Sequence, residues 1–164
     1  MATHALRERS ASLATPGIVL GLGLGGFVDG IVLHQILQWH NMLSSTDRWP
    51  TTTLEHLETN MLADGLFHAA TWILVALGLR LLWTAMRRGV PGSGAALVGW
   101  MLAGWGLFNV VEGVVDHLIL GLHHVREGED ELAWDVGFLA FGLALTVGGA
   151  LFARSRERRP AEPS

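Results

Sequence analysis

Four long apolar stretches dominate this chain of 164 residues. They cover roughly residues 16–42, 60–86, 95–122 and 132–153, and each is near or above the ~20 residues that a membrane-spanning helix needs. Half of the chain is hydrophobic and only 16% is charged, whereas about a quarter of a typical soluble domain is charged. The sequence therefore predicts an all-α polytopic membrane protein, with four transmembrane helices in an up-down bundle.

The arginines predict which ends of these helices are cytoplasmic. They cluster in the head (residues 1–15), in the short link after the second span, and in the tail (residues 154–164). The two remaining loops carry one arginine each, Arg48 and Arg126. Because cytoplasmic loops are enriched in positive residues, we expect both termini to be cytoplasmic and these two loops to face outward.

The composition excludes several kinds of site. The chain has no cysteine, so it has no disulfide, no thiolate metal ligand and no cysteine nucleophile. It also has no lysine, which excludes Schiff-base chemistry. A net charge of −4 gives no reason to expect nucleic acid as a partner, since nucleic-acid binding needs a basic surface.

Ionisable and polar side chains interrupt the outer halves of the apolar stretches. Such groups cost several kcal/mol at membrane depth unless they are paired, so each is a candidate functional residue. His34, His68 and His117 belong to three different spans, and at 1.5 Å per residue each lies roughly 8–12 Å below the outer end of its span. Independent helices have no reason to agree in depth. The agreement predicts one site that faces the extracytoplasmic side.

The residues in this layer are of the types that bind transition metals. Imidazole and carboxylate groups together are ligands of zinc, non-haem iron and copper(II), and the sequence does not choose among these ions. The expected ligands are His34, His68, His117, Asp64, Glu112 and Asp116. At 100° per residue the polar side chains do not all point at one atom, so a further set would orient these ligands or replace some of them: Asp29, Gln38, His40, Asn109, His123 and His124.

Several uses of this layer remain open. A metal-dependent enzyme would use the ion to activate water or dioxygen, while a metal-handling protein would sequester the ion or hand it over. A second class is a bis-histidine haem protein for electron transfer, with two of the three histidines as axial ligands. A third is a structural membrane protein without a metal, in which the polar groups tie helices together. The cytoplasmic halves of the spans are nearly free of ionisable groups, which argues against a proton path across the membrane.

Glycines recur throughout the spans. Gly21, Gly23 and Gly26 match the GxGxxG dinucleotide pattern, but that pattern needs a strand before it and a βαβ unit around it. The four-residue spacing of Gly17, Gly21 and Gly25 instead predicts a face where helices pack closely in a membrane. Such faces could join the four spans to one another, to a second copy of the chain or to other membrane proteins. No internal repeat is apparent.

Four runs of the sequence resemble a widespread bacterial family of four-span integral membrane proteins classed as a domain of unknown function. The runs are GFVDGIVLHQILQWH (26–40), DGLFH (64–68), GLFNVVEGVVDH (106–117) and LHHVRE (122–127). The resemblance covers about residues 17–153. It implies a multi-pass protein of the bacterial plasma membrane, and it implies no activity.

The orientation can be tested with reporter fusions. A reporter at Ser164 should give a cytoplasmic signal, and one within residues 44–53 should give an extracytoplasmic signal, because arginine flanks the first position and not the second. A reporter in the loop that carries Arg126 should match the second. Signals from the same side at Ser164 and at residues 44–53 would contradict the four-span orientation.

Overall fold

The computed structural model describes residues 12–158. Four long helices account for most of this part of the chain. They are α1 (Ala14–Val28), which continues as a first π-helical segment (Asp29–Ile36), α2 (Leu54–Arg87), α3 (Gly94–Glu112), which continues as a second π-helical segment (Gly113–Ile119), and α4 (Glu131–Glu157). No strand occurs between residues 12 and 158. The all-α fold with four helices is confirmed.

Each helix, with its π-helical extension, is long and apolar enough to cross a membrane. Large apolar side chains such as Trp72 and Leu66 on α2, and Leu143 and Leu151 on α4, are exposed on the molecular surface. Exposed apolar area on this scale is unfavourable in water and favourable against lipid. The chain is therefore a multi-pass membrane protein. Residues 1–11 and 159–164, which carry part of the arginine-rich head and tail, lie outside the described residues.

The helices α1 and α3 form the centre of the molecule. They pack against each other, α2 packs on α1, and α4 packs on α3. Within residues 12–158, no Cα atom of α2 lies within 8 Å of one in α3 or α4, and none of α1 lies within 8 Å of one in α4. The outer ends of α1 and α3 are therefore the place where side chains from both halves of the chain can meet.

Close packing of α1 on α3 depends on glycine. A Cβ atom on Gly21 would overlap the carbonyl oxygen of Met101, and one on Gly104 would overlap the carbonyl oxygen of Ile18. Backbones approach this closely only where the side chain is a hydrogen atom. Most of the glycines in the spans pack against a neighbouring helix of the same chain in this way, whereas Gly148 on α4 has open space beside it.

The first and third helices end earlier than the predicted spans, at Ile36 and Ile119 instead of 42 and 122. The amide of the residue that follows each π-helical segment donates to the carbonyl oxygen five residues earlier, from Leu37 to Val32 and from Leu120 to Val115. This bonding widens the turn. A residue with positive φ follows in each case, Gln38 at 51° and Gly121 at 57°. His40 and His123 therefore lie in loops and not on helices.

The second helix begins earlier than the predicted span. Thr53 caps α2, because its side-chain oxygen accepts a hydrogen bond from the amide of His56 at 3.2 Å. Ser93 caps α3 in the same way by accepting from the amide of Ala96 at 3.1 Å. Hydroxyl caps satisfy amides that a helix cannot pair internally, so both helices start in the polar residues that precede their apolar stretches.

The structure shows an internal repeat, and the expectation of none is wrong. Residues 29–40 and 112–123 align without gaps, 83 positions apart (His34 with His117), as acid-Gly-[Ile/Val]-Val-x-His-x-Ile-Leu-x-x-His. Asp64 and Phe67 of α2 correspond likewise to Asp135 and Phe138 of α4. Each half of the chain is thus a two-helix unit with the same plan.

The two halves are related by an approximate twofold axis. The contact of Gly21 with Met101 is matched by the contact of Gly104 with Ile18, and these residues are equivalent in the repeat (18 with 101, 21 with 104). In a twofold interface, residue i of one half contacts residue j of the other, and residue j of the first half contacts residue i of the second. The axis passes between α1 and α3.

The α1–α3 contact can be tested by filling it. Gly21→Ala or Gly104→Ala places a methyl group against a backbone carbonyl, and overpacking of this kind costs about 1–3 kcal/mol. We expect both variants to unfold at lower temperature in detergent than the wild type. The matched control is Gly148→Ala, which meets nothing within 4 Å and should be neutral or stabilising. Equal thermal midpoints for all three variants would contradict the packing.

Candidate metal centre

Four imidazole rings meet where the two halves join. The rings of His40 and His123 are stacked, with centroids 4.6 Å apart. His34 lies 4.4 Å from His40, and its equivalent His117 lies 4.8 Å from His123. All four residues are at most 3% exposed. A buried cluster of four imidazoles is unusual, because each ring carries two polar atoms that need partners.

One nitrogen of each ring, Nδ1, faces an acceptor on the protein. Nδ1 of His40 donates to the carbonyl oxygen of Val125 at 2.8 Å, and Nδ1 of His123 donates to that of Met42 at 3.2 Å. The two bonds are equivalent in the repeat (40 with 123, 42 with 125), so the two loops hold each other. Because a carbonyl oxygen only accepts, the hydrogen of each ring is fixed on Nδ1.

Carboxylates hold the other two rings. Nδ1 of His34 donates to Oδ1 of Asp64 at 3.0 Å, and Nδ1 of His117 lies 3.2 Å from Oδ1 of Asp135. The same two carboxylates also fix the loops, since the amide of Met42 donates to Asp64 and that of Val125 donates to Asp135. Each half therefore orients its helical histidine and its loop with one buried aspartate.

The second nitrogen of each ring is Nε2. Among the described residues it has no hydrogen-bond partner in His40 and His117, and in His34 and His123 only a carboxylate oxygen lies near it. Two carboxylates complete the cluster, since Oδ2 of Asp29 lies 3.0 Å from Nε2 of His34 and Oε1 of Glu112 lies 3.5 Å from Nε2 of His123. Both carboxyl groups are buried and lie next to each other, and no backbone amide, side-chain amide or hydroxyl group of the described residues donates to Glu112.

The π-helical segments bring these groups to the centre. Asp29 precedes His34 by five residues, and Glu112 precedes His117 by five residues. A π-helical turn joins residues five apart by its hydrogen bonds, whereas an α-helix joins residues four apart. The acid and the histidine of each segment consequently lie on the same side. Gly30 and Gly113, which follow the acids, have no side chain to separate the segments from Phe67 and Phe138.

The two loop histidines are neutral. Burial, and next to it the imidazole of His34, lowers the pKa of His40 from 6.5 to about 4. Burial, and next to it the imidazole of His40, lowers the pKa of His123 well below its ordinary value. With hydrogen on Nδ1 and no charge on the ring, the Nε2 atoms of both residues are lone-pair donors at neutral pH.

These donors are arranged so that they could hold metal ions. Ligand atoms of His34, His40 and His123 lie within 4.8 Å of one another, and so do those of Glu112, His117 and His123. Neutral imidazole nitrogens and carboxylates suit zinc, iron and copper(II). An imidazole that binds a metal usually donates its other N–H to a carboxylate or a carbonyl group, and this is the role of Nδ1 here.

The structure places the predicted site residues in three groups. Around the centre lie His34, His117, Glu112, Asp29, His40 and His123. Asp64 is at the edge and accepts hydrogen bonds from His34, Gln35, Asn41 and Met42. The remaining ones are not brought to the centre: His68, Asp116, Gln38, His124 and Asn109.

His68 packs beside the centre and outside both groups of three. Its ring lies against Gly30 and next to Phe27, and its Nε2 has no hydrogen-bond partner among the described residues. The equivalent position in the repeat is Leu139, which packs on Gly113 in the same way. The position therefore covers the π-helical glycine in each half.

The other four predicted residues lie at the periphery. Asp116 is half-buried and Gln38 is exposed. His124 donates from Nδ1 to Oδ2 of Asp135 at 2.7 Å, which is the bond that Asn41 makes to Asp64 in the other half. Asn109 is buried at the contact of α3 with α4, where its Cβ atom faces Gly142.

Asp135 is the residue beside the centre that the predicted set of ligands did not include. It is 1% exposed, lies 3.2 Å from Nδ1 of His117, and accepts hydrogen bonds from His124 and the amide of Val125. The signal for it was the repeat, because Asp135-x-x-Phe138 stands where the first half has Asp64-x-x-Phe67.

A cavity of about 330 Å³ adjoins one side of the centre. It lies between α1 and α4, which have no Cα atoms within 8 Å of each other. Its walls are almost entirely apolar and include Trp39, Trp105, Trp134 and Phe141, and Asp29 is its one acidic lining residue. The candidate centre is therefore next to a space suited to a small apolar molecule.

Comparison with known proteins identifies the family. Residues 16–156 match the family described as Predicted membrane protein (DUF2243), a domain of unknown function. The chain belongs to this family. The match spans all four helices and every residue of the centre, and it agrees with the resemblance seen in the sequence. No curated protein and no solved structure is significantly similar to the chain, so the family supplies architecture and no activity.

The aspartate network can be tested through stability. Asp135→Ala leaves the buried amide of Val125 and Nδ1 of His124 without their acceptor, and an unsatisfied buried donor costs about 1–3 kcal/mol. We expect a lower thermal midpoint in detergent than for the wild type. The matched control is Asp116→Ala, whose half-buried carboxyl group lies outside the network. Equal midpoints for the two variants would show that Asp135 does not hold the loop.

Proposed function

We propose that this protein holds a transition metal at the centre of His34, His40, His117, His123, Asp29 and Glu112. One observation carries the proposal. Among four buried imidazoles, Nδ1 is hydrogen-bonded to the protein in His34, His40 and His123 and lies 3.2 Å from the carboxylate of Asp135 in His117. Nε2 has no hydrogen-bond partner in His40 and His117, and in His34 and His123 it has only a carboxylate oxygen beside it, from Asp29 and Glu112. Leaving so many polar atoms unpaired in a buried place is unfavourable, and a bound cation would satisfy them together.

A structural role without metal is less well supported. In such a role the polar groups would pair with one another, as Asp64 does with its four donors. The inward atoms follow this pattern only in part, since Nε2 of His40 and of His117 has no hydrogen bond and no backbone amide, side-chain amide or hydroxyl group of the described residues donates to Glu112. Hydrogen bonds from Nδ1 orient three of the four imidazole rings, as they do in rings that bind a metal through Nε2.

A haem centre fits the geometry less well than an ion. Two axial imidazoles must face each other across the iron with a flat macrocycle between them. The rings of His40 and His123 are instead parallel and stacked at 4.6 Å, and His34 and His117 flank them. Asp29 and Glu112 would have no role in a haem site.

The surroundings favour a resident cofactor over a metal that is handed on. The loops that carry His40 and His123 cover the centre and are joined by reciprocal hydrogen bonds, so an ion could leave only if they opened. The apolar cavity beside Asp29 would admit a small lipid-soluble molecule from the membrane. We therefore favour a metal-dependent enzyme, whose metal activates water or dioxygen. Metal handling at the outer face is the second candidate.

The proposed location follows from the arginines. With both termini in the cytoplasm, the loops of residues 37–53 and 120–130 face outward, and the centre lies in the extracytoplasmic half of the bacterial plasma membrane. Its cytoplasmic side is closed by α1 and α3, which pack through glycine.

Elemental analysis of detergent-purified protein tests metal binding. We expect zinc, iron or copper to copurify with the wild type and to be lost from His123→Ala, because His123 belongs to both groups of donors. The matched control is His56→Ala, whose imidazole contacts the carbonyl oxygen of Pro50 outside the centre, and which should keep the metal. Wild-type protein that holds no more metal than His123→Ala, before and after reconstitution, would contradict the proposal.

Two further measurements on the same sample separate the alternatives. A Soret band in the visible spectrum would favour haem over a non-haem ion. Slow loss of the metal to an external chelator is expected for a resident cofactor, while complete exchange within the time of mixing would favour metal handling.

A further inference from the structure

We infer that the centre is dinuclear, with one divalent transition-metal ion held mainly by each half of the repeat. The first position would be held by Asp29, His34 and His40, and the second by Glu112, His117 and His123. The inference rests on the proposed function, because it specifies how many ions the centre holds and how the donors divide between them.

The donors are too far apart to surround one ion. Ligands at about 2.1 Å from an ion can be at most about 4.2 Å from each other. The donor atoms instead fall into two groups, one with His34 and His40 and one with Glu112 and His117, and only His123 belongs to both. The rings of His40 and His117 are 6.5 Å apart between centroids. The cluster is therefore elongated across the twofold axis.

Within each half the spacing suits one ion. Two ligands of the same ion at about 2.1 Å lie roughly 3.0–3.4 Å apart. Oδ2 of Asp29 is 3.0 Å from Nε2 of His34, and Oε1 of Glu112 is 3.5 Å from Nε2 of His123. Each half thus offers two histidines and one carboxylate, a ligand set that leaves positions open on iron(II).

The stacked rings at the axis place the two positions next to each other. His40 and His123 belong to opposite halves, yet their rings are parallel and 4.6 Å apart. Ions bound to neighbouring rings of this kind would be close to the 3.5–4 Å separation that is usual in two-metal sites. His123 joins both groups of donors because it lies at this junction.

The buried charge agrees with two ions. Four carboxylates surround the centre, Asp29, Asp64, Glu112 and Asp135, and each is at most 4% exposed. Between residues 12 and 158 their charged partners are histidines only, and no arginine forms a salt bridge with them. Uncompensated charge is costly at membrane depth. Two divalent cations would balance the charge of four ionised carboxylates.

The experiment counts copper(II) ions in wild-type protein that has been loaded with copper(II) and freed of excess. We expect two ions per chain by elemental analysis, and a half-field resonance in the electron paramagnetic resonance spectrum, which arises from two coupled copper ions. His56→Ala should give the same two results. The double variant Glu112→Ala/His117→Ala should retain one ion and lose the half-field resonance, since the first position keeps all three donors.

Each outcome decides between the two proposals. One tightly bound ion in the wild type with no half-field resonance would overturn the dinuclear centre and leave the proposed metal function in place. No retained copper would overturn both. The wild-type count does not depend on whether the double variant folds, and gel filtration shows whether that variant remains a single species.

Discussion

The exchange of hydrogen bonds between the two outer loops is the interaction on which the centre depends. His40 donates to the backbone of the second loop, and His123 donates to the backbone of the first. Each ring is oriented only when the opposite loop is in place, so the correct geometry of each half depends on the other half. The aspartates Asp64 and Asp135 then anchor both loops to the flanking helices. A chain with only one half would lack the acceptor that fixes its own loop histidine.

The glycine-mediated contact of α1 and α3 sets the distance across which this exchange occurs. Gly21 and Gly104 bring the two central helices together backbone to backbone, and the π-helical segments begin where that contact ends. π-Helical turns are rare and occur frequently at functional sites. Here each turn aligns an acid with the histidine five residues later. The π-helical segments, with Glu112 directly before the second, thus carry four of the six donors, and the other two, His40 and His123, lie in the loops that follow them.

The fold could be predicted from the sequence further than the site could. The lengths of the apolar stretches and the four-residue spacing of glycines predicted four membrane helices and close packing, and the structure confirms both. Grouping residues by depth placed His34 and His117 in one layer, and the structure brings both to the centre, but it placed His68 there as well, which lies outside both groups of donors. Direction around the helix was not predictable, because an α-helical period of 100° per residue does not apply across a π-helical turn. The same period predicted that His40 and His123 lie at the ends of helices. In the structure a residue with positive φ, Gln38 or Gly121, follows the end of each helix before the histidine, and the loop that follows brings the histidine to the centre.

The two halves differ in the residue that packs on the π-helical glycine and in the space beside the centre. The side chain of His68 covers the π-helical glycine of the first half, and the side chain of Leu139 covers that of the second. A large side chain thus packs on the glycine in both halves, but it is polar in the first half and apolar in the second. Between α2 and α3 the aromatic rings of Phe67 and Phe108 are in contact. The equivalent space between α4 and α1 stays open as the apolar cavity, and Asp29 lines it. The donors are therefore arranged symmetrically, but this cavity lies on one side of them only. Of the two proposed ion positions, the one beside Asp29 is the one that a molecule from the membrane would meet first.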